Sequence, residues 1–151
     1  MPSNEDVYHL GIKALVQNVN GDILLLQVNV KKLSGNASAY WDLPGGRVQK
    51  GDTINDTLRR EVEEEIGISD ITDIQQIGMV LSNIRIPVDD DTVGLILGVY
   101  RCSIREECSV TLSDEHTDYG WFSPQDASIK LAVKYPADFC EQISNMSTSA
   151  K

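Results

Sequence analysis

The segment from Leu43 to Ile68 constrains this chain more than any other, because a glycine-rich loop there passes directly into an acidic helix. It reads LPGGRVQKGDTINDTLRREVEEEIGI. The Pro44–Gly46 turn permits positive φ angles and close backbone approach. Asp52 or Thr53 is a credible N-cap for the helix, and Gly67 is a typical stop signal. We therefore predict a loop and helix that bring backbone carbonyls next to a group of carboxylates.

Three of those carboxylates share one side of the predicted helix. At about 100° per residue, Glu61, Glu64 and Glu65 fall within an arc of roughly 100°, whereas Glu63 points away and is expected to be solvated. Beside the arc lies an apolar stripe that can face a core, formed by Ile54, Leu58, Val62 and Ile66. Like charges at this spacing repel one another, and oxygen ligands suit hard divalent ions such as Mg²⁺. A solvated acidic face is the alternative, and the adjoining glycine loop favours the metal site.

The spacing of the fixed residues resembles that of a known family. Gly46, five residues, Asp52, seven residues and then the run Arg60–Ile68 (REVEEEIGI) match the Nudix box, except that Asp52 stands where the family has glutamate. The resemblance implies an α/β fold, a Nudix-type α/β/α sandwich with a mixed β-sheet between helices. It also implies that Arg60 orients a carboxylate. Aspartate at position 52 keeps the charge but has one methylene less to reach that arginine.

The resemblance also implies a metal site and a reaction. The expected ion is Mg²⁺, with Mn²⁺ as a substitute, and its expected ligands are the Gly45 carbonyl, Glu61, Glu64, Glu65 and Glu115. Glu115 is assigned because MutT-type enzymes carry a glutamate in the loop before a tryptophan-bearing strand, here the strand of Trp121; Asp114 and Asp118 compete for the role. The general base is Glu61 or Glu64 by resemblance, or Glu115. His116 is expected to be a loop residue that hydrogen-bonds locally.

The activity implied is hydrolysis of a phosphoanhydride bond in a nucleoside diphosphate linked to another group, X. Pro87 lies further along than the ADP-ribose branch needs, no tyrosine fits the dinucleoside polyphosphate branch, and the coenzyme A pyrophosphatase signature is absent near the box. A MutT-like nucleoside triphosphatase remains. The alternative is a catalytically weak Nudix-fold module that senses a nucleotide, for which a degenerate box would be the mark. A structural protein with an acidic helix would show no metal dependence.

Length, net charge and cysteine content limit the kinds of partner that the protein can bind. The chain has 151 residues and a net charge of −10, which indicates one domain and argues against bulk attraction to duplex nucleic acid or an anionic membrane. A small nucleotide is not excluded, because a bound metal reverses the local field. The three cysteines include no CxxC pair; Cys102 and Cys140 are expected to be buried thiols. With no signal peptide or membrane-spanning run, we expect a cytoplasmic monomer or homodimer.

The remaining sequence predicts the layout of the domain. We expect a loose leader over residues 1–7, one Nudix hydrolase domain over residues 8–143 and a polar tail over residues 144–151. Strands are predicted at Tyr8–Val16, Asp22–Val30, Ile71–Ser82, Thr92–Cys102 and Tyr119–Phe122, with a helical turn at Ser123–Pro124 and a helix over Pro136–Ile143. Lys31–Ala39 is predicted to be a loop and Asp89–Asp91 a hairpin tip. Trp41 is expected to anchor the box loop by packing, with base stacking as its alternative.

Overall fold

A computed structural model describes residues 4–32, 39–105 and 108–146. These described residues form eight β-strands and three α-helices. The strands are β1 (Tyr8–Gln17), β2 (Ile23–Val28), β3 (Trp41–Asp42), β4 (Gly45–Arg47), β5 (Thr72–Leu81), β6 (Ile86–Val88), β7 (Asp91–Ser103) and β8 (His116–Phe122). The helices are α1 (Ile54–Ile66), α2 (Pro124–Lys130) and α3 (Ala137–Ser144), and short 3₁₀ turns lie at Val30–Lys32 and Leu131–Val133. The five predicted strands and the C-terminal helix are confirmed, whereas β3, β4 and β6 were not predicted.

The strands form a mixed sheet around β1. Its central order is β3-β2-β1-β7-β5, with β8 paired to β2, β4 paired to β1 and β6 paired to β7. The long strands β1 and β7 run parallel, from Tyr8 opposite Gly94 to Gln17 opposite Ser103. The other pairings are antiparallel. The predicted mixed sheet is confirmed, and β1 lies at its centre with β4, the strand of the box loop, along part of its length.

Both faces of the sheet are covered by helices, as the α/β/α prediction requires. In β2, Leu24 and Leu26 point into the apolar cluster that also contains the inner side of α1, while Ile23 and Leu25 point into the cluster beneath α2 and α3. All four side chains are fully buried. Each contributes about 1.5–3 kcal/mol to folding by leaving water. The continuous apolar run of this strand therefore reflects burial on both faces.

Helix α1 has the ends that the sequence predicted. The hydroxyl of Thr53 accepts a hydrogen bond from the Asp56 amide at 3.0 Å, and Gly67 ends the helix in a left-handed conformation with φ of 72°. The predicted apolar stripe is wrong at one position, since Ile54 is 42% exposed. As the first helical residue, it projects past the apolar cluster that the later turns contact. Thr57 is buried instead, with its hydroxyl donating to the Thr53 carbonyl.

Several smaller predictions are also confirmed. Cys102 and Cys140 are buried free thiols, and Asp89 and Asp90 form the turn between β6 and β7. The ring of Trp41 packs edge-on against Phe122 of β8 with centroids 5.2 Å apart, while the choice between loop anchoring and base stacking stays a prediction. Within the described ranges, none of the helices is long and apolar enough to cross a bilayer.

The two predicted terminal segments are described only in part. Residues 1–3 and 147–151 lie outside the described residues, as do residues 33–38 of the predicted loop. In the described part of the leader, the carboxylate of Asp6 accepts two hydrogen bonds from Arg85, at 2.6 and 3.1 Å. At the other end, Met146 packs against the core.

Candidate active site

A cleft opens where the box loop, helix α1 and the sheet meet. It comprises adjoining pockets of about 380 and 490 Å³. Both pockets are lined by residues from five segments of the chain: Lys13, Gly45, Arg47, Glu65, Glu115 and Lys134. A third, smaller pocket adds Glu64 beside Glu61, Glu65 and Glu115. We refer to these four glutamates as the acidic wall of the cleft.

Glu65 is the most deeply placed member of the acidic wall. It is 5% exposed, and its Oε2 accepts a hydrogen bond from the Gly45 amide at 3.0 Å. Burial raises the pKa of Glu65 to about 8, although the Lys13 charge and the Gly45 hydrogen bond oppose the shift. Burial and the neighbouring Glu64 also raise the pKa of Glu61. The charged forms of both carboxylates are therefore disfavoured unless a cation lies among them.

Glu115 reaches the cleft because backbone hydrogen bonds fix its loop. The Asn29 amide donates to the Glu115 carbonyl at 2.9 Å, and the Ser113 amide donates to the Glu65 carbonyl at 3.3 Å. Ligand atoms of Glu65, Glu115 and His116 all lie within 4.8 Å of one another. These contacts tie the loop to both β2 and α1, which is the arrangement that a ligand from outside the box requires.

Asp114 and Asp118, the alternatives to Glu115, lie in different places, and His116 lies in the cleft. Asp114 also lines the cleft, whereas Asp118 is exposed on β8 opposite Gln27. The prediction for His116 is wrong, because this residue begins β8 opposite Val28 instead of lying in a loop, and the strand carries its ring into the cleft. Its buried Nδ1 has no hydrogen-bond partner among the described residues. Burial lowers the pKa of His116 to about 4.

The two glycines of the box loop, Gly45 and Gly46, are required for different reasons. Gly45 has φ of 154°, and a Cβ there would lie 2.1 Å from the Ile12 carbonyl oxygen, so the strand pairing itself requires glycine. At Gly46, a Cβ would lie 2.4 Å from the carboxyl carbon of Glu61. The missing side chain at Gly46 therefore provides the space in which the Glu61 carboxylate sits.

Arg60 connects the loop to the acidic wall. Its Nη1 donates to Asp52 at 2.6 Å, and its Nη2 lies 3.5 Å from Oε1 of Glu61. The shorter aspartate side chain thus still reaches the arginine. Asp52 thus holds one nitrogen of the guanidinium group while the other faces Glu61, and this geometry lets Arg60 orient the Glu61 carboxylate.

Sequence reasoning missed the other wall of the cleft. Lys13 and Lys134, which we call the lysine pair, are both buried, and both contact Asp42. The sequence contains a signal for Lys13, because this lysine interrupts the apolar run of β1. Asp42 likewise stands between Trp41 and Leu43 in a segment whose neighbours are apolar. Nothing near Lys134 in the chain pointed to the cleft.

The acidic wall fits a divalent cation. It offers several carboxylate oxygens, and the pKa of its buried members is raised. Oxygen-rich donor sets of this kind bind hard ions.

Comparison with known proteins agrees with this geometry. The family model of the NUDIX domain matches residues 7–142. Nucleoside triphosphatase NudI of Salmonella paratyphi B is 29% identical over 109 residues, which cover 65% of this chain and 74% of the relative. The crystal structure of the MutT protein from Methanosarcina mazei Go1 is 28% identical, with a TM-score of 0.66 over 94% of this chain and 96% of that chain.

A further structural neighbour supports the fold alone. The E. coli dihydroneopterin triphosphate pyrophosphohydrolase is 18% identical, with a TM-score of 0.69 over 93% of this chain and 99% of that chain. The family model covers the loop, helix α1 and the strand that follows Glu115, which are the elements that form the acidic wall. On these grounds the chain belongs to the Nudix family and is a hydrolase that acts on acid anhydrides.

Proposed function

We propose that this protein is a metal-dependent nucleotide pyrophosphohydrolase that cleaves a phosphoanhydride bond in a nucleoside diphosphate linked to X, with nucleoside triphosphates as the first substrate class. The observation that carries the proposal is the convergence of the acidic wall on one cleft from two separated parts of the chain. The NudI relatives, named nucleoside triphosphatases, support the substrate class. We assign the catalytic unit to residues 8–143.

The proposed ligands of Mg²⁺, or of Mn²⁺ in its place, are the Gly45 carbonyl, Glu61, Glu64, Glu65 and Glu115. When bound, such an ion neutralises the diphosphate and lowers the pKa of a water molecule. His116 offers a nitrogen donor, which suits softer ions better than Mg²⁺. We therefore assign His116 a place beside the ligands and not among them.

The protein's own residues orient the reaction and accept a proton. Arg60, held by Asp52, fixes the direction of the Glu61 carboxylate. The general base is Glu61 or Glu64, or Glu115, and such a base contributes about 10²–10⁴-fold to the rate. Glu61 is suited to the role because Arg60 fixes its direction and the missing side chain at Gly46 leaves space for its carboxylate.

The test is release of phosphate or pyrophosphate from a panel of nucleotides with Mg²⁺, with Mn²⁺ and with a chelator. The panel contains canonical and oxidised nucleoside triphosphates, ADP-ribose, nucleotide sugars and dinucleoside polyphosphates. We expect metal-dependent turnover of nucleoside triphosphates that the chelator abolishes. Turnover confined to another class would overturn the substrate assignment. Nucleotide binding without turnover of any member would favour the sensor alternative instead.

A further inference from the structure

A second charged cluster lies in the cleft apart from the acidic wall. The carboxylate of Asp42 accepts hydrogen bonds through Oδ2 from Lys13 Nζ at 3.0 Å and from Lys134 Nζ at 2.6 Å. Its Oδ1 accepts one from the Tyr135 hydroxyl at 2.6 Å. All of these residues are buried, yet both lysines line the cleft. One buried carboxylate thus holds two buried cations at the cleft surface.

The charges of this cluster do not balance. Two ammonium groups share a single bound carboxylate, and a buried charge without a partner is strongly unfavourable. Burial would raise the pKa of Asp42, but the two lysine charges and its hydrogen bonds hold it well below its usual range. Asp42 is therefore ionised and is the one carboxylate that both ammonium groups contact among the described residues, while the charge of Glu65 acts on Lys13 from further away. A purely structural ion pair would need only one of the two lysines.

The hydrogen-bonding capacity of the lysine pair is also unfilled. Among the described residues, Lys13 Nζ donates to Asp42 and to the Leu43 carbonyl, and Lys134 Nζ donates only to Asp42. Since an ammonium group has three donors, Lys13 has one donor and Lys134 two that no described residue accepts in a hydrogen bond, although Lys134 Nζ also lies 6.0 Å from the centre of the Tyr40 ring. These donors belong to groups that line the pocket, so an anion in the cleft can accept them.

The backbone around Lys134 is held in place by the loop after β5. The Lys134 carbonyl accepts hydrogen bonds from the Asn83 amide and the Ser82 hydroxyl, both at 2.9 Å. The side-chain amide of Asn83 donates to the carbonyls of Ala132 and Tyr135. These four bonds fix the backbone of a short turn far from the box in sequence, and the 2.6 Å hydrogen bond to Asp42 directs the ammonium group.

We propose that Lys13 and Lys134 bind a phosphate oxygen of the substrate, one that the acidic wall does not hold, and that Asp42 is their positioning residue. That the anion is part of a nucleoside polyphosphate rests on the proposed function. The subsite itself rests on the lysine pair, its unfilled donors and its place in the cleft. Phosphate fits because it offers several charged acceptor oxygens to ammonium groups.

The test measures binding of inorganic tripolyphosphate by calorimetry at low salt and with a chelator, so that metal plays no part. The variant is Lys134→Met, which keeps the length of the side chain and leaves Asp42 paired with Lys13. The matched control is Lys130→Met, which removes the same charge one turn earlier, where the ammonium group lies over the Trp41 ring. We expect binding about tenfold weaker in Lys134→Met and unchanged in Lys130→Met.

A structural role would give a different result. It would lower the melting temperature of Lys134→Met without changing tripolyphosphate affinity, and that outcome would overturn the subsite, as would the absence of metal-free binding to the unaltered protein. Lys13→Met provides a second variant should Lys134→Met fail to fold. With metal and nucleotide, we expect a raised KM and a nearly unchanged kcat. If the nucleotide panel shows no turnover while tripolyphosphate binding depends on Lys134, the proposed function fails and the subsite stands.

Discussion

The two walls of the cleft are built in opposite ways. The acidic wall takes Glu61, Glu64 and Glu65 from successive turns of one helix, where like charges lie close together. The opposite wall takes Lys13 and Lys134 from two ends of the chain and sets a carboxylate, Asp42, between them. Apart from Glu115, the first wall is local in sequence, and its charges repel one another. The second is assembled only by folding and is held together by its own charges.

This contrast predicts that removing a carboxylate has opposite effects on the two walls. For Glu64→Gln, we expect the largest change in activity, a loss of about 10²–10⁴-fold in metal-dependent kcat, because either a metal ligand or the general base is lost. Stability should be unchanged or slightly higher, because a repulsive charge is removed from the helix. Steady-state kinetics and thermal melting measure the two effects.

Glu63→Gln is the matched control for that change. Glu63 lies on the same helix, carries the same charge and is exposed to solvent. We expect turnover close to that of the unaltered protein. Equal loss in both variants would mean that net helix charge, and not the position of a carboxylate in the cleft, determines activity.

Removing the carboxylate of the other wall should destabilise the fold. In Asp42→Asn, two buried ammonium groups lose their counter-charge, and we expect a loss of about 3–5 kcal/mol in the free energy of unfolding. The control is Asp70→Asn, because Asp70 pairs with Arg105 at 3.0 Å on the exposed surface, where such pairs contribute about 0–1 kcal/mol. Urea denaturation measures both variants. Equal losses would show that burial of the lysine pair carries no special cost.

The lysine pair also predicts a pH dependence. Burial lowers the pKa of Lys134 to about 8, with Lys13 acting in the same direction and Asp42 in the opposite one. Between that value and the ordinary lysine value near 10.5, the unfolded chain binds a proton that the folded protein does not, so this group makes stability rise with pH. Lys13 does not cancel the effect, since Asp42 and Glu65 overcome its burial and raise its pKa.

The measurement is the difference in urea midpoint between Lys134→Met and the unaltered protein, taken at about pH 7.5 and about pH 9.5. Lys134→Met lacks the part of the stability that rises with pH. We therefore expect the urea midpoint of the unaltered protein, relative to that of Lys134→Met, to be higher at the higher pH than at the lower one. A constant difference would show that Lys134 keeps an ordinary pKa in the folded state.

The same contrast explains how far the sequence could predict the structure. The ends of α1, the inward glutamates and the two-sided burial of β2 follow from spacing alone, because each depends on residues a few positions apart. The resemblance to the Nudix box extended those predictions to the fold. The short strands β3, β4 and β6 carry too few residues for a periodic signal, and they form because longer strands lie beside them.

The unpredicted part of the site depends on contacts between distant segments. Asp42 and Lys134 lie 92 positions apart, and no local pattern links them. His116 was misjudged because the pairing of its strand with Val28, rather than any local preference, carries its ring into the cleft. A charged residue inside an apolar strand, such as Lys13, is the available signal in the sequence, because it indicates a buried ion pair.

The smallest expected effect concerns the one departure from the family pattern. Asp52 already contacts Arg60 at 2.6 Å, so restoring glutamate in Asp52→Glu should change kcat by about twofold or less, since the longer side chain replaces a contact that exists. Asp52→Ala, which frees Arg60 from the loop, should cost several-fold in kcat through misdirection of Glu61 and little stability, because the pair is partly exposed. Steady-state kinetics with the preferred nucleotide measures kcat for both variants. A large gain in turnover for Asp52→Glu would mean that the natural aspartate holds Arg60 in an unproductive position. Asp52 would then misdirect the Glu61 carboxylate instead of orienting it.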